Sequence, residues 1–330
     1  MEFIKNPLFI FIAFLIALLI VTIFKKIYYL IRYKKRFYIL PKVGIKGIAN
    51  IAMVIAISIS IIILLTVITA DIMGVVFRAW PGTRITIEGM LIKIGGLMFG
   101  PFLGIFIGAL TDLLSVALTA GVFHYGYLIA CMAFGLISGL ISEIFKNAKH
   151  KNIQASIWST IILISIDILV ILYLLMDLGK SNINIEFLGI AFSVSPYLLT
   201  GIIGGFILLG IVVIWIGLWI YNKRIKSNQK ILTQRQIINK KTWYFNFSMI
   251  LTCSIVTDAL INVLMMPKFD AELSSLLYEQ WIGIRGVLFI PEVLLNMLII
   301  FPIFKIITPL VTYDYRSELV EDKKIPVYFD

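Results

Sequence analysis

Long apolar runs separated by short polar or basic blocks set the plan of this chain. The runs predict helices over about 7–31, 48–74, 86–99, 101–119, 123–145, 155–177, 187–221, 243–266 and 281–310. A helix of about 20 apolar residues crosses a hydrocarbon core of roughly 30 Å. Most of these runs reach that length, whereas a transmembrane β-barrel would show short alternating segments. The Gly100-Pro101 pair divides 86–99 from 101–119, because proline cannot extend the hydrogen-bond ladder. The expectation is an all-α polytopic membrane protein with eight or nine hydrophobic helices.

Composition agrees with the pattern. The chain has 330 residues, 60% of them hydrophobic, against about 45–50% in soluble domains. Its net charge is +11, but the basic residues fall in short blocks between apolar runs, KKIYYLIRYKKRF being the clearest. That is the pattern of cytoplasmic loops, not of a nucleic-acid groove. Four segments, 25–47, 146–151, 223–241 and the end from Lys305, hold 22 of the 29 Lys and Arg. Six others, Lys5, Arg78, Arg84, Lys180, Lys268 and Arg285, fall on the opposite side, and Lys93 lies within a helix. This alternation predicts a cell-membrane protein with its N-terminus outside and its C-terminus cytoplasmic. The run PLFIFIAFLIALLIVTIF lacks an A-x-A-like cleavage site and precedes a basic cluster, so it reads as an uncleaved helix. On that topology the Arg84 loop, GVFHYGY and Lys268–Gln280 all face outward.

Several function classes drop out. Cys131 and Cys253 both lie in apolar runs and imply no disulfide framework. Two histidines, His124 and His150, make histidine-rich metal coordination a poor fit. No G-x-x-x-x-G-K-[ST] phosphate loop occurs. No cluster of catalytic groups marks a membrane enzyme. The expectation is a non-enzyme without cofactor or metal.

What remains is charge inside apolar sequence. The stretch from Trp80 to Gly121 carries Arg84, Glu88, Lys93 and Asp112 among many glycines. Such groups face a cavity or a partner. Gly104, Gly108 and Asp112 share one helix face, and small residues at that spacing let backbones approach.

The residues LIKIGGLMFGPFLGIFIGALTDLL, with Pro81-Gly82-Thr83-Arg84 upstream, Gly121-Val122-Phe123 after them and Gly135-Leu136-Ile137-Ser138-Gly139 beyond, resemble the folate-family S components of energy-coupling factor (ECF) vitamin transporters. Ala52 and Ala56 are similar to the Ala-x-x-x-Ala through which those proteins pack on the transmembrane coupling subunit. LINVLMM with Asn262 resembles their fifth helix; Pro291, Asn296 and Pro302 resemble the sixth, though Val293 and Asn296 stand where basic residues are expected. The strong likeness covers about 48–145 and a weaker one about 243–308. It divides the chain into an extra N-terminal helix and basic loop (1–47), core helices one to four (48–145), an insertion with two helices and a basic loop (146–242), core helices five and six (243–313) and a polar tail (314–330). The resemblance implies a six-helix core plus about three added helices. It implies a substrate-capture subunit that binds folate or a folate-like vitamin at the outer face and relies on a coupling membrane subunit and two ATPase subunits. Riboflavin, pantothenate or a pyridoxine-like compound are alternative cargoes, and a membrane scaffold is an alternative outside transport.

Candidate site residues follow. Arg84 has a donor fork suited to a carboxylate; it can equally pair with Glu88, four residues on. Asp112 can accept from a pterin's N–H groups or pair with Arg84 or Lys93. Phe123, His124, Tyr125 and Tyr127 lie in the loop that covers substrate in the family and can stack on a flat ring, as can Trp80 and Trp281; interfacial aromatic belts are the alternative. Arg285 and Glu292 share a helix face, and Glu292 needs a partner or a ligand. Asn262 and Asn296 suit recognition of a heterocycle edge or helix-to-helix hydrogen bonds. Asp167 and Asp258 are acids at apolar depth or close to it; Asp167, in the insertion, is better suited to a local partner than to a proton relay.

Overall fold

The computed structural model describes residues 45–68, 81–119, 122–146, 152–177, 183–187, 190–228 and 234–310, with scattered helical positions between 12 and 27. The helices are α1 (Ile45–Ile68), α2 (Pro81–Phe99), α3 (Pro101–Thr119), α4 (Tyr125–Lys146), α5 (Asn152–Asp177), α6 (Pro196–Asn228), α7 (Gln234–Thr257), α8 (Met266–Leu273) and α9 (Tyr278–Leu310). Strands β1 (Ile183–Phe187) and β2 (Ile190–Val194) form an antiparallel hairpin between α5 and α6.

Among the described residues, seven spans are long and apolar enough to cross a membrane: Gly47–Leu65, Pro101–Thr119, Tyr125–Phe145, Asn152–Met176, Pro196–Lys223, Trp243–Leu273 and Tyr278–Ile306. The chain is an all-α multi-pass membrane protein. The middle of the span Trp243–Leu273 is buried all round and forms the centre, while α1, α6 and α9 each keep an exposed apolar face, as lipid-facing helices should.

Helix α2 is the least like a lipid-facing helix. It carries Arg84, Glu88 and Lys93, and almost every described position in it is buried. It ends at Gly100, whose φ of 89° is strained for any residue with a Cβ. Pro101 then opens α3 at the position where its missing N–H costs nothing. Gly100 N–H donates to Gly96 O, and Gly104 N–H donates to Gly100 O, each at 2.9 Å.

Helices α3 and α4 meet backbone to backbone. A Cβ on Gly104 would collide with the carbonyl of Gly135, one on Gly135 with that of Gly104, and one on Gly108 with that of Cys131. The small-residue spacing read in the sequence therefore sets the helix separation. Asp112, one turn beyond Gly108, shares the buried stripe.

The structure corrects three boundaries. Arg84 lies in the first turn of α2, not in a loop, because Pro81 starts the helix earlier than the apolar run does. The run at 187–221 is not one helix: INIEF and IAFSV pair as strands, and α6 begins after Ser195, whose Oγ accepts from Leu198 N–H at 3.2 Å, an N-cap followed by proline. The expected outer loop Lys268–Gln280 is helical through Leu273. The second run ends at Ile68 in the described residues. Residues 69–80, including Trp80, and the tail 314–330 lie outside them.

A π-helical segment, Asp258–Met265, joins α7 to α8. Met266 N–H donates to Ile261 O, five residues back. Such widened turns are uncommon and concentrate at functional sites.

Candidate functional site

At about 100° per residue, Glu88 lies close above Arg84 on α2, while Lys93 points to the opposite side. One helix thus serves two polar centres. Toward α3 and α4, the Arg84 Nη2–H donates to Asp112 Oδ1 at 2.8 Å, and Arg84 Nε lies 3.2 Å from Glu88 Oε1. Cys131 Sγ–H donates to Glu88 Oε2 at 3.7 Å. Arg84 Nη1, Asp112 Oδ2 and Thr111 Oγ1 are buried there without a hydrogen-bond partner among the described residues. Both pairings open to Arg84 in the sequence are realised together.

Toward α7 and α9, Lys93 Nζ donates to Asp258 Oδ1 at 2.6 Å and lies 4.9 Å from the centre of the Phe134 ring. Asp258 opens the π-segment and Asn262 follows within it. Asn262 Nδ2 donates to Asp258 Oδ1 at 3.0 Å and to Glu292 Oε2 at 3.1 Å. Asn296 Nδ2 donates to Asp258 Oδ2. Glu292 and Asn296 project from the same face of α9 as Arg285.

A third centre closes one end. Arg285 Nε donates to Asp270 Oδ2 at 2.5 Å, and the Tyr127 hydroxyl donates to Asp270 Oδ1 at 2.7 Å. The Tyr125 hydroxyl donates to Glu272 Oε2 at 2.7 Å, and His124 Nε2 lies 3.2 Å from the same oxygen. Phe269 packs where a Cβ on Gly126 would stand, and the His124 ring lies 4.5 Å from Tyr125 and 5.8 Å from Phe269. Helix α8 is in this way fastened over the start of α4. Trp281 Nε1–H donates to Ser274 Oγ at 2.6 Å.

The structure brings together nine of the ten sequence-predicted binding residues in or around these centres, Arg84, Asp112, His124, Tyr125, Tyr127, Asn262, Arg285, Glu292 and Asn296, and Asp258, which the sequence marked only as an acid at apolar depth, joins them. Phe123 stands apart and is exposed. Asp167 is buried on α5 against Gly204 of α6, away from the centres. Ala52 and Ala56 lie with Ser60 on an exposed face of α1. Sequence reasoning missed Asp270 and Glu272. They sit in the short polar stretch MPKFDAEL, where two acids beside a proline read as an ordinary outer loop.

Glu88, Asp112 and Cys131 offer ligand atoms within 4.8 Å of one another, a spacing a metal ion could use. The Arg84 guanidinium already contacts both carboxylates and supplies the positive charge there, so these residues fit an ion pair better than a metal.

No protein-family model matches the chain, and no solved structure does. The chain is similar to a Mycoplasma pneumoniae (strain ATCC 29342 / M129 / Subtype 1) protein described as "Uncharacterized protein MG098 homolog", with 28% identity over 340 residues, covering 94% of this chain and 71% of that protein. The matched span includes the segments added between the two parts of the S-component resemblance.

Proposed function

We propose that this protein is the substrate-capture subunit of an ECF-type importer for a small vitamin, folate-like by resemblance. The observation that carries the reading is the linked set of buried polar centres enclosed by α2, α3, α4, the π-segment, α8 and α9. A membrane protein retains such charge where it serves a ligand or a pathway. The exposed Ala52, Ala56 and Ser60 stripe on α1 supports a second helix docking there, since small residues admit close approach. The chain carries no phosphate loop, so the energy for uptake comes from partners: a coupling membrane subunit and two ATPase subunits. In this reading the protein sits in the cell membrane with α8 and residues 122–127 at the outer face, its N-terminus outside and its C-terminus cytoplasmic. It performs no chemistry on its cargo.

Two measurements test this. Calorimetry on the purified chain in detergent, with folate, riboflavin, pantothenate, pyridoxine and thiamine, should find one submicromolar ligand. Affinity purification from native membranes should recover a coupling subunit and ATPase subunits. Recovery of neither partner would turn the reading toward a scaffold.

A further inference from the structure

We infer that the cargo is a small organic cation with N–H donors, and that the centre formed by Lys93, Asp258, Asn262, Glu292 and Asn296 receives it. The inference rests on the capture reading and names the chemical class of its cargo, which the resemblance to folate-family proteins does not fix.

The first argument is charge. The three polar centres hold three fixed cations, Arg84, Lys93 and Arg285, and six carboxyl groups, Glu88, Asp112, Asp258, Asp270, Glu272 and Glu292. Each cation is already held by a carboxylate, at 2.8, 2.6 and 2.5 Å respectively. In the receiving centre Lys93 is taken by Asp258, so an incoming carboxylate or phosphate would meet Glu292, a carboxyl group with no ion-pair partner among the described residues. A cation would give Glu292 the partner it lacks.

The second argument is hydrogen bonding, and it does not depend on the charge count. Both amides turn their nitrogens to carboxylates: Asn262 to Asp258 and Glu292, Asn296 to Asp258. Asn262 has thereby spent both N–H donors and offers only its oxygen, while Asn296 keeps one N–H beside its oxygen. Asn262 Oδ1 and Asn296 Oδ1 are both buried and have no donor. Buried polar atoms are nearly always partnered, so two bare acceptors in one centre ask for a donor-bearing guest. Glu292 is the acid of this centre without an ion-pair partner among the described residues, and it is the one with some exposure. A carboxylate in that position accepts two parallel N–H bonds from an amidine-type edge, or one charge-assisted bond from an ammonium.

The third argument is placement. Asp258 and Asn262 both lie in the π-segment, near the middle of the buried span Trp243–Leu273. The widened turn sets them on the same centre as Glu292 and Asn296 of α9.

The test uses the full chain in detergent. Ligand-induced shifts in unfolding temperature would be measured for thiamine and pyridoxamine as nitrogenous cations, folate, pantothenate and biotin as anions, and sodium chloride against potassium chloride as inorganic ions. A shift with at least one organic cation and with no anion is expected, and Glu292→Gln should weaken that binding at least tenfold. Tighter binding of an anion than of every cation, or no binding by any cation, would overturn the inference. Sodium or potassium alone producing the shift would also overturn it, as would unchanged cation affinity in Glu292→Gln. The panel on the unmodified chain decides the matter even where the variant does not fold. Partner recovery from membranes is read separately, so a failed cargo assignment with partners present leaves the capture reading intact. Absence of partners removes that reading.

Discussion

Removing one member of a buried ion pair strands the other, and Lys93–Asp258 is where this should be most costly. Both side chains are buried, and Asp258 also takes the two amides. Lys93→Met or Asp258→Leu should each destabilise the protein by about 3–5 kcal/mol, because an unpaired charge is left in the interior. The double variant should cost less than the sum of the two. Denaturant unfolding in mixed micelles would show this coupling, and simple additivity would mean that the pair does not act as a unit. Arg84 makes a related case. It bridges Asp112 and Glu88, so Arg84→Met should lower the unfolding midpoint. Arg84→Lys should recover only part of the loss, since a lysine lacks the fork that reaches two acids. If Arg84→Met instead abolished ligand binding at an unchanged midpoint, Arg84 would be a ligand contact and not a brace.

Helix packing carries its own prediction, through the glycines. Gly104 and Gly135 leave no room for a Cβ between α3 and α4, while Gly205 on α6 faces open space. Gly135→Ala should therefore cost about 1–3 kcal/mol by forcing the backbones apart. Gly205→Ala should be neutral or stabilising by up to about 1 kcal/mol, because alanine is the better helix former. Equal effects at the two positions in thermal unfolding would contradict the close approach. The same elements show what a sequence can and cannot reveal. Helix α3 was legible to the residue, because Gly100-Pro101 marks its start and apolar sequence fills the rest. The hairpin was not, because IAFSV is as apolar as the helix that follows and merges with it, while INIEF, though it alternates apolar and polar, is too short to stand out beside that run. Helix α8 was hidden for the opposite reason: it is short and polar. The site was legible as a set of misplaced charges, not as a set of partners. Lys93 and Asp258 are 165 residues apart, and no local pattern couples positions at that distance.

At the scale of the whole molecule, the capture reading requires two surfaces that fail independently. The polar centres must hold cargo without help, and an outer helix face must meet the coupling subunit. Ala52 and Ala56 are exposed on α1, while the polar centres are built from α2, α3, α4, the π-segment, α8 and α9. Enlarging the two alanines should therefore leave the interior untouched. With Ala52→Trp and Ala56→Trp combined, the unfolding midpoint and the cargo dissociation constant should stay within twofold of the parent. Uptake into cells or proteoliposomes containing the full complex should fall at least tenfold, because bulky side chains hold a docking helix away. The controls are Leu208→Trp and Leu209→Trp, which enlarge an exposed face of α6 and should leave uptake unchanged. Loss of cargo binding in the alanine variant would mean that α1 packs as core and presents no docking face. Equal loss of uptake in the α6 variants would move the partner surface to the inserted helices.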